Sequence, residues 1–518
     1  MAAPRVLRAS SARPSSPVSD GGERGGAGPS RGVIAGATAI FLLLALVHAG
    51  APSLWNDEVM SVSFARRSWY GLLHGAASDR VHPPLFYALL KIWIRIGGER
   101  TLWLRLLPIS AAVAAIPAAA RLCRELRLSR SASAIGLALA ATSGYLVYYA
   151  QELRPYALLL LASTLSTLAF VGALGAGGDG RRAWIGLALA NTLLVYSHYF
   201  GWLVVGTEGL WLLISRRDRG RLPRFLGASV VPVLAFAPWA WLVSREIGRG
   251  SGLSGNLAGL TRPGPSALPR FYAGLLGPER AVVAAPQLVA GAFLLAAMLL
   301  LAVRVRKSLP EHASRMSLGL LAAFAFVPPA AALLVSLLVR PVFHPRYLVE
   351  AAVPFLLLAG AAAAEPPRWR LVVTATAVAC CVWSAADQLA GTSRIAWGDL
   401  VTSMQASASR CSGDARSAPV YALGEAAPRP VGYYLERAGS RRTVIPVASV
   451  AEVGAGPGWL AFHAGSELEG VAYWSAASPA SVRAALEAKG LRVLCEQETG
   501  TARRRGVLVA FAPAAGGS

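Results

Sequence analysis

The chain has 518 residues, of which 55% are hydrophobic and only 15% charged, with a mean hydropathy of +0.49. That is too apolar for one soluble domain of this length and marks a polytopic membrane protein. A formal net charge of +23 would suggest a nucleic-acid partner in a soluble chain, but most Lys and Arg here sit in short loops between apolar runs, a topology signal that leaves no nucleic acid among the expected partners.

Residues 1–31, rich in Gly, Ser, Pro and Arg, have almost nothing to bury and read as a disordered cytoplasmic tail before an uncleaved anchor. Hydropathy and basic loops then give one consistent topology with the N-terminus inside and about eleven spans. The spans fall near Gly32–Gly50, Leu102–Leu122, Ser131–Ala150, Tyr156–Leu174, Trp184–Tyr199, Phe200–Ile214, Phe225–Val243, Ala281–Val303, Leu318–Val339, Pro345–Ala364 and Leu371–Ala386. The segment from Pro83 to Gly97 is short and carries Lys91 and Arg95 on one helical face, with Leu89, Ile92, Trp93 and Ile96 on another. It reads as an amphipathic helix in the outer interface, because a crossing there would invert the charge pattern of every later loop.

With this topology the unusual polar clusters all fall on one side of the membrane: "NDE" at 56–58, "DRVHPP" at 79–84, "YYAQELRPY" at 148–156, "SHY" at 197–199 and "RPVFHPRY" at 340–347. Ionisable groups at membrane depth need partners or a wet cavity, so five converging clusters point to a single extracytoplasmic site. Asp57 and Glu58 suit the first turn of a helix, which is their bland reading. Adjacent helical residues diverge by ~100°, so only one can face a cavity, and Asp57 is the expected general base with Glu58 in support. His82 precedes a proline and is therefore extended; it is either an incidental residue of a rigid turn or a ligand for a metal or a phosphate, with Asp79 nearby. Glu152 and Arg154 form either an ion pair or a phosphate-binding fork with its orienting acid. His198, beside Tyr199, either caps a hairpin or binds a ligand. Arg340, His344 and Arg346, next to Tyr347, bring further phosphate contacts to one loop. The candidate metal residues are Asp79, His82 and His198, for a divalent cation.

The acidic pair after the first span, "HPPLFY", "YYAQELRPYALLLL", "YSHYFG" and "RYLVEAAVPFLLLAGA" together resemble the GT-C integral membrane glycosyltransferases, nearest to bacterial glycosyltransferase family 39 and the protein mannosyltransferases. The resemblance covers roughly Gly32 to Ala364. It implies an inverting enzyme that takes a sugar from a polyprenyl-phosphate donor outside the cytoplasmic membrane and gives it to an envelope glycan, lipid or protein. It also implies that Asp57 is the base and that Glu152 stands for the acid of the second outer loop. Val81 and His82 stand where some relatives place a metal-binding Glu. The rivals are a flippase of lipid-linked sugars, which would spread polar residues through the spans, and a polysaccharide polymerase or ligase.

The expected fold is therefore a polytopic α-helical, GT-C-like transmembrane domain over 32–390 with a small extracytoplasmic α/β domain over 398–518. In the latter, "APVYALG", "RTVIPVAS", "GWLAFHAGS", "LRVLCEQET" and "GVLVAFAP" read as strands, with helices at "PRPVGYYLERAG" and "SPASVRAALEAKG". Ser478 suits the N-cap of the second helix, Pro479 its first position and Gly490 its stop. The five cysteines lack metal-site spacing. A disulfide between Cys411 and Cys495 is one option in an oxidising compartment.

Overall fold

The computed structural model describes residues 28–51, 53–175, 180–248, 261–277, 312–364, 368–390, 395–411, 418–424, 427–464, 477–501 and 504–514. The span read at Ala281–Val303 and nearly all of the N-terminal tail lie outside these residues.

The described residues up to Ala390 are built from helices and their connecting turns. Helix α1 (Arg31–Leu46) is followed by three helices, α2 (Asn56–Arg66), α3 (Trp69–Asp79) and α4 (Leu85–Gly97), and by the long α5 (Thr101–Glu125). Next come α6 (Arg130–Thr142) and α7 (Gly144–Ala150), bent 53° from one another. The bend falls at Ser143, and at Gly144 just after it a Cβ would meet the Ser384 backbone at 2.5 Å, so glycine lets the two backbones touch. Helices α8 (Tyr156–Leu174), α9 (Arg181–Ser197), α10 (Gly201–Ile214), α11 (Leu222–Gly248), α12 (Ala267–Leu276) and α13 (His312–Leu338) follow. Two 3-10 turns, Pro345–Tyr347 and Val349–Ala351, then lead into α14 (Ala352–Ala364) and α15 (Arg370–Ala390).

Among the described residues five helices are long and apolar enough to cross a membrane, or six if the bent pair counts as one span. Several other expected spans are helical but short. Helix α1 has 16 residues, which at 1.5 Å each falls short of ~30 Å of hydrocarbon. The loop expected after Val339 also reaches further than the sequence implies: Pro345 to Ala351 forms single turns, and α14 begins only at Ala352. Large apolar side chains such as Leu189, Leu234, Leu338 and Leu371 are exposed around the bundle, as a lipid-facing surface requires.

The amphipathic reading of α4 needs one correction. Its buried face is Phe86, Tyr87, Leu90 and Lys91, while Ile92 and Ile96 are exposed. The Lys91 ammonium donates to the carbonyls of Ala65 and Arg67 at the end of α2. A cation at a helix C-terminus meets unpaired carbonyls and the negative end of the dipole, which outweighs its preference for water.

The C-terminal unit is a five-stranded mixed sheet of order β2-β1-β3-β5-β4. Strand β1 (Val420–Leu423) runs parallel to β2 (Val444–Val447) and β3 (Gly458–Ala464), and β5 (Arg504–Pro513) runs antiparallel to β3 and to β4 (Leu491–Thr501). Period-two alternation gives the sheet two cores. Val420, Trp459, Ala461, Leu508 and Ala510 pack with Leu400 and Met404 of α16 (Trp397–Cys411) and with Val431 and Leu435 of α17 (Pro428–Arg437). Leu460, Phe462, Val507, Val509 and Phe511 pack with Val482 and Leu486 of α18 (Pro479–Ala488). Ser478 caps α18, Pro479 opens it and Gly490 follows at φ 73°, as the sequence implies. Cys411 and Cys495 are joined, with their Cα atoms 5.7 Å apart.

Candidate active site

Helix α2 begins at Asn56, so Asp57 and Glu58 both lie in its first turn, and their divergence separates their fates. Glu58 is fully buried. Its Oε2 accepts from the backbone N–H of Trp55 at 3.3 Å and from Arg105 Nη2 at 2.8 Å, and its Oε1 accepts from Arg105 Nε at 3.1 Å and the N–H of Leu153 at 3.0 Å. Arg105 also donates to the carbonyls of Ala49 and Ser53. The carboxylate therefore welds the loop before α2, helix α5 and the turn at 151–155 into one body. Asp57 lies on the other side, where its Oδ2 faces Arg346 Nη1 at 3.4 Å, each side chain 17% exposed.

Beneath Asp57 lies a buried cluster of cations, histidines and tyrosines. Arg154, from the turn between α7 and α8, is 2% exposed. Among the described residues its partners are all neutral: the Asp57 carbonyl at 3.3 Å, Ser61 Oγ and Tyr87 Oη at 3.4 Å, and His82 Nδ1 at 3.2 Å. The His82 ring lies 4.8 Å from that of His198 and 5.7 Å from that of Tyr156. Tyr347 stands 5.4 Å from His198, and the Arg346 guanidinium lies 4.9 Å over its ring. Arg346 also donates to Tyr347 Oη at 3.0 Å.

Proton bookkeeping fixes what these rings offer. A guanidinium only donates, so His82 Nδ1 must accept from Arg154, and its remaining proton sits on Nε2. His198 Nδ1 accepts the N–H of Phe200 at 3.1 Å, which places its proton on Nε2 as well. Both Nε2 atoms, Nε of Arg154 and of Arg346, and Oη of Tyr156 are buried without a hydrogen-bond partner among the described residues. Five buried donors in one ring-packed cluster offer hydrogen bonds that an anion can accept. Burial first, and then the Arg154 charge, hold the His82 imidazole well below the ordinary histidine range, so it stays neutral.

The same donor set does not fit a divalent cation. A metal at either Nε2 would require Nδ1 to carry the proton, against the N–H groups of Arg154 and Phe200. Among the described residues no group of three His, Cys, Asp or Glu side chains converges. Asp79, the third candidate ligand, ends α3, where its charge acts on Tyr87, Arg154 and Tyr199. Metal binding at Asp79, His82 and His198 is therefore set aside.

The other expected residues divide. Glu152 is buried in the 151–155 turn, and its charge acts on Arg346 and Tyr156. His344 Nδ1 accepts the N–H of Arg346 at 3.3 Å and so caps the turn that carries it. The Tyr199 hydroxyl accepts from Trp239 Nε1 at 3.1 Å. Sequence reasoning passed over Tyr87, Tyr156 and Arg105. An arginine inside an apolar span is a functional signal by default, and Arg105 was readable on that ground.

Residues 81–242 match the family described as dolichyl-phosphate-mannose-protein mannosyltransferase. Among solved structures the chain is similar to ArnT from Cupriavidus metallidurans in the apo state, at 14% identity and a TM-score of 0.56, over 92% of this chain and 98% of that one. The same protein bound to undecaprenyl phosphate gives a TM-score of 0.53 at 14% identity over the same shares. The apo oligosaccharyltransferase of Archaeoglobus fulgidus gives 0.49 at 12% identity, over 82% of this chain and 65% of that one. No curated protein matches the sequence. The likeness to ArnT is one of fold, and it is the GT-C glycosyltransferase fold.

Proposed function

We propose that this chain, with its GT-C fold and mannosyltransferase-like segment, is an inverting glycosyltransferase. It moves a sugar from a polyprenyl-phosphate carrier to a hydroxyl of an envelope glycan, lipid or protein. The reaction takes place at the outer face of the cytoplasmic membrane, with the N-terminus inside and the C-terminal unit outside. The observation that carries the reading is the cluster of five unpartnered buried donors directly below a partly exposed carboxylate. ArnT, whose fold this is, has been captured with undecaprenyl phosphate, the class of anion such a cluster suits.

The acceptor oxygen attacks the anomeric carbon while its proton passes to Asp57. The bond from that carbon to the phosphate oxygen breaks, and the electron pair leaves with the phosphate. Arg154, Arg346 and the two Nε2–H groups stabilise the charge that grows there. An entering phosphate competes for Arg346 and so releases Asp57 from its ion pair to act as base. Glu58 positions the loop, and Glu152 acts through its charge on Arg346. No step needs a metal.

The test is transfer by purified protein in proteoliposomes containing mannosyl, glucosyl and arabinosyl polyprenyl phosphates. Asp57→Asn should lower turnover by roughly 10²-fold or more, the usual share of a general base, with binding of undecaprenyl phosphate no weaker, since the carboxylate no longer competes for Arg346. Turnover near the parent level would remove Asp57 from the base role. Carrier translocation across the vesicle without sugar transfer would favour the flippase instead.

A further inference from the structure

The stretch that leads into the proposed base is gripped from the far end of the chain. The N–H of Gly398, at the start of α16, donates to Ser53 Oγ at 2.9 Å, and the N–H of Leu54 donates to Tyr434 Oη of α17 at 2.7 Å. Arg429, in the first turn of α17, donates to Asn56 Oδ1 at 3.3 Å. The other end of α17 is moored separately. Arg66 bonds both Glu99 and Glu436, the Tyr433 hydroxyl donates to Glu99 at 3.3 Å, and Arg437 donates to the Glu99 carbonyl at 2.6 Å.

The Asn56 contact has a chemical direction. An amide group has an accepting end and a donating end, and the guanidinium of Arg429 can face only the accepting one. With Oδ1 so engaged, Nδ2 is turned toward Asp57, whose Oδ1 it meets at 3.5 Å. The other carboxylate oxygen faces Arg346. Both oxygens of Asp57 are thus addressed by a donor, and one of those donors is oriented from the C-terminal unit.

We infer that the C-terminal unit is a working part of the active site: Arg429 is a positioning residue that locks the amide of Asn56 and, through it, the Asp57 carboxylate. The inference rests on the reading of Asp57 as base. It assigns to the sheet unit a role beyond that of an appended domain, and to α17 the function of a strut held at both ends.

The experiment is a double-mutant cycle in the full-length protein, with transfer measured from whichever of the three carriers the parent turns over. Asn56→Ala and Arg429→Ala should each lower kcat roughly tenfold, the scale of a small misplacement of a catalytic group, and leave KM for the carrier unchanged. The double variant should be no slower than Asn56→Ala alone, because Arg429 acts through that amide. Arg429→Lys, which keeps a donor at the same place, should recover most of the loss. Additive losses, a change confined to KM, or a neutral Arg429→Ala would overturn the inference. Full turnover by Asp57→Asn would instead remove the base assignment, while the coupling between residues 56 and 429 would still be read from the cycle.

Discussion

His82 shows how one buried side chain couples this site to pH. Burial, followed by the Arg154 charge, holds its imidazole neutral in the folded protein, whereas an unfolded chain takes up a proton near pH 6.5. The unfolded state therefore binds more protons below that pH, and stability, fully present above it, should fall as the pH drops. The slope contributed by this residue approaches about 1.4 kcal/mol per pH unit in the acid range. Thermal unfolding in detergent between pH 8 and pH 5 should show the decline, and His82→Gln should make it shallower by the share of one histidine, while His344, also held low by burial, keeps its own. An unaltered slope would refute the neutral assignment. At this scale the sequence was partly legible. The divergence of neighbours in a first helical turn separated Asp57 from Glu58 before any contact was known. It was silent on which way each histidine carries its proton, because that depends on the Phe200 N–H and on Arg154, which arrives from another loop.

Among the elements, the weld at Glu58 decides how α2, α5 and the 151–155 turn sit together. Removing one partner of a buried ion pair strands the other charge, at a cost of about 3–5 kcal/mol. Glu58→Ala should lower the unfolding temperature by several degrees and impair transfer only as a consequence. Glu58→Leu combined with Arg105→Met should regain only part of the lost stability: no charge is then stranded, but the N–H groups of Trp55 and Leu153 and the carbonyls of Ala49 and Ser53 lose their partners. If the combined variant is no better than the single one, those backbone bonds, and not the stranded charge, carry the loss. Helix positions were readable because apolar runs and prolines mark them. The buried face of α4 was not, since Lys91 looks like a surface cation until the carbonyls of Ala65 and Arg67 are seen to need it.

For the whole molecule, the bundle and the C-terminal sheet were both foreshadowed by the change of character after Asp387, and the five strand segments were read where the strands lie. The join between them was not legible. It consists of hydrogen bonds, an ion pair between Arg66 and Glu436 and the burial of Tyr433 against the bundle, all between positions more than three hundred residues apart, and no local pattern encodes such pairs. The bond between Cys411 and Cys495 closes a loop with a sequence separation of 84 and ties α16 to β4. Losing it should cost about 2–5 kcal/mol. Cys411→Ser should bring unfolding of the sheet to lower denaturant while the helical signal persists, and the parent protein should change mobility on a non-reducing gel once reduced. Equal mobility of the two forms would count against the bond.

The grip on Ser53, Leu54 and Asn56 also has a meaning in time. Leu54 is synthesised 380 residues before its partner Tyr434, an interval of about 20 to 80 s at ordinary rates of translation. Throughout that interval the loop beside Asp57 exists without its clasp. Maturation of the proposed catalytic centre is thus a late event in the life of the chain, and a ribosome that stops early would leave a helical bundle with an unfinished loop.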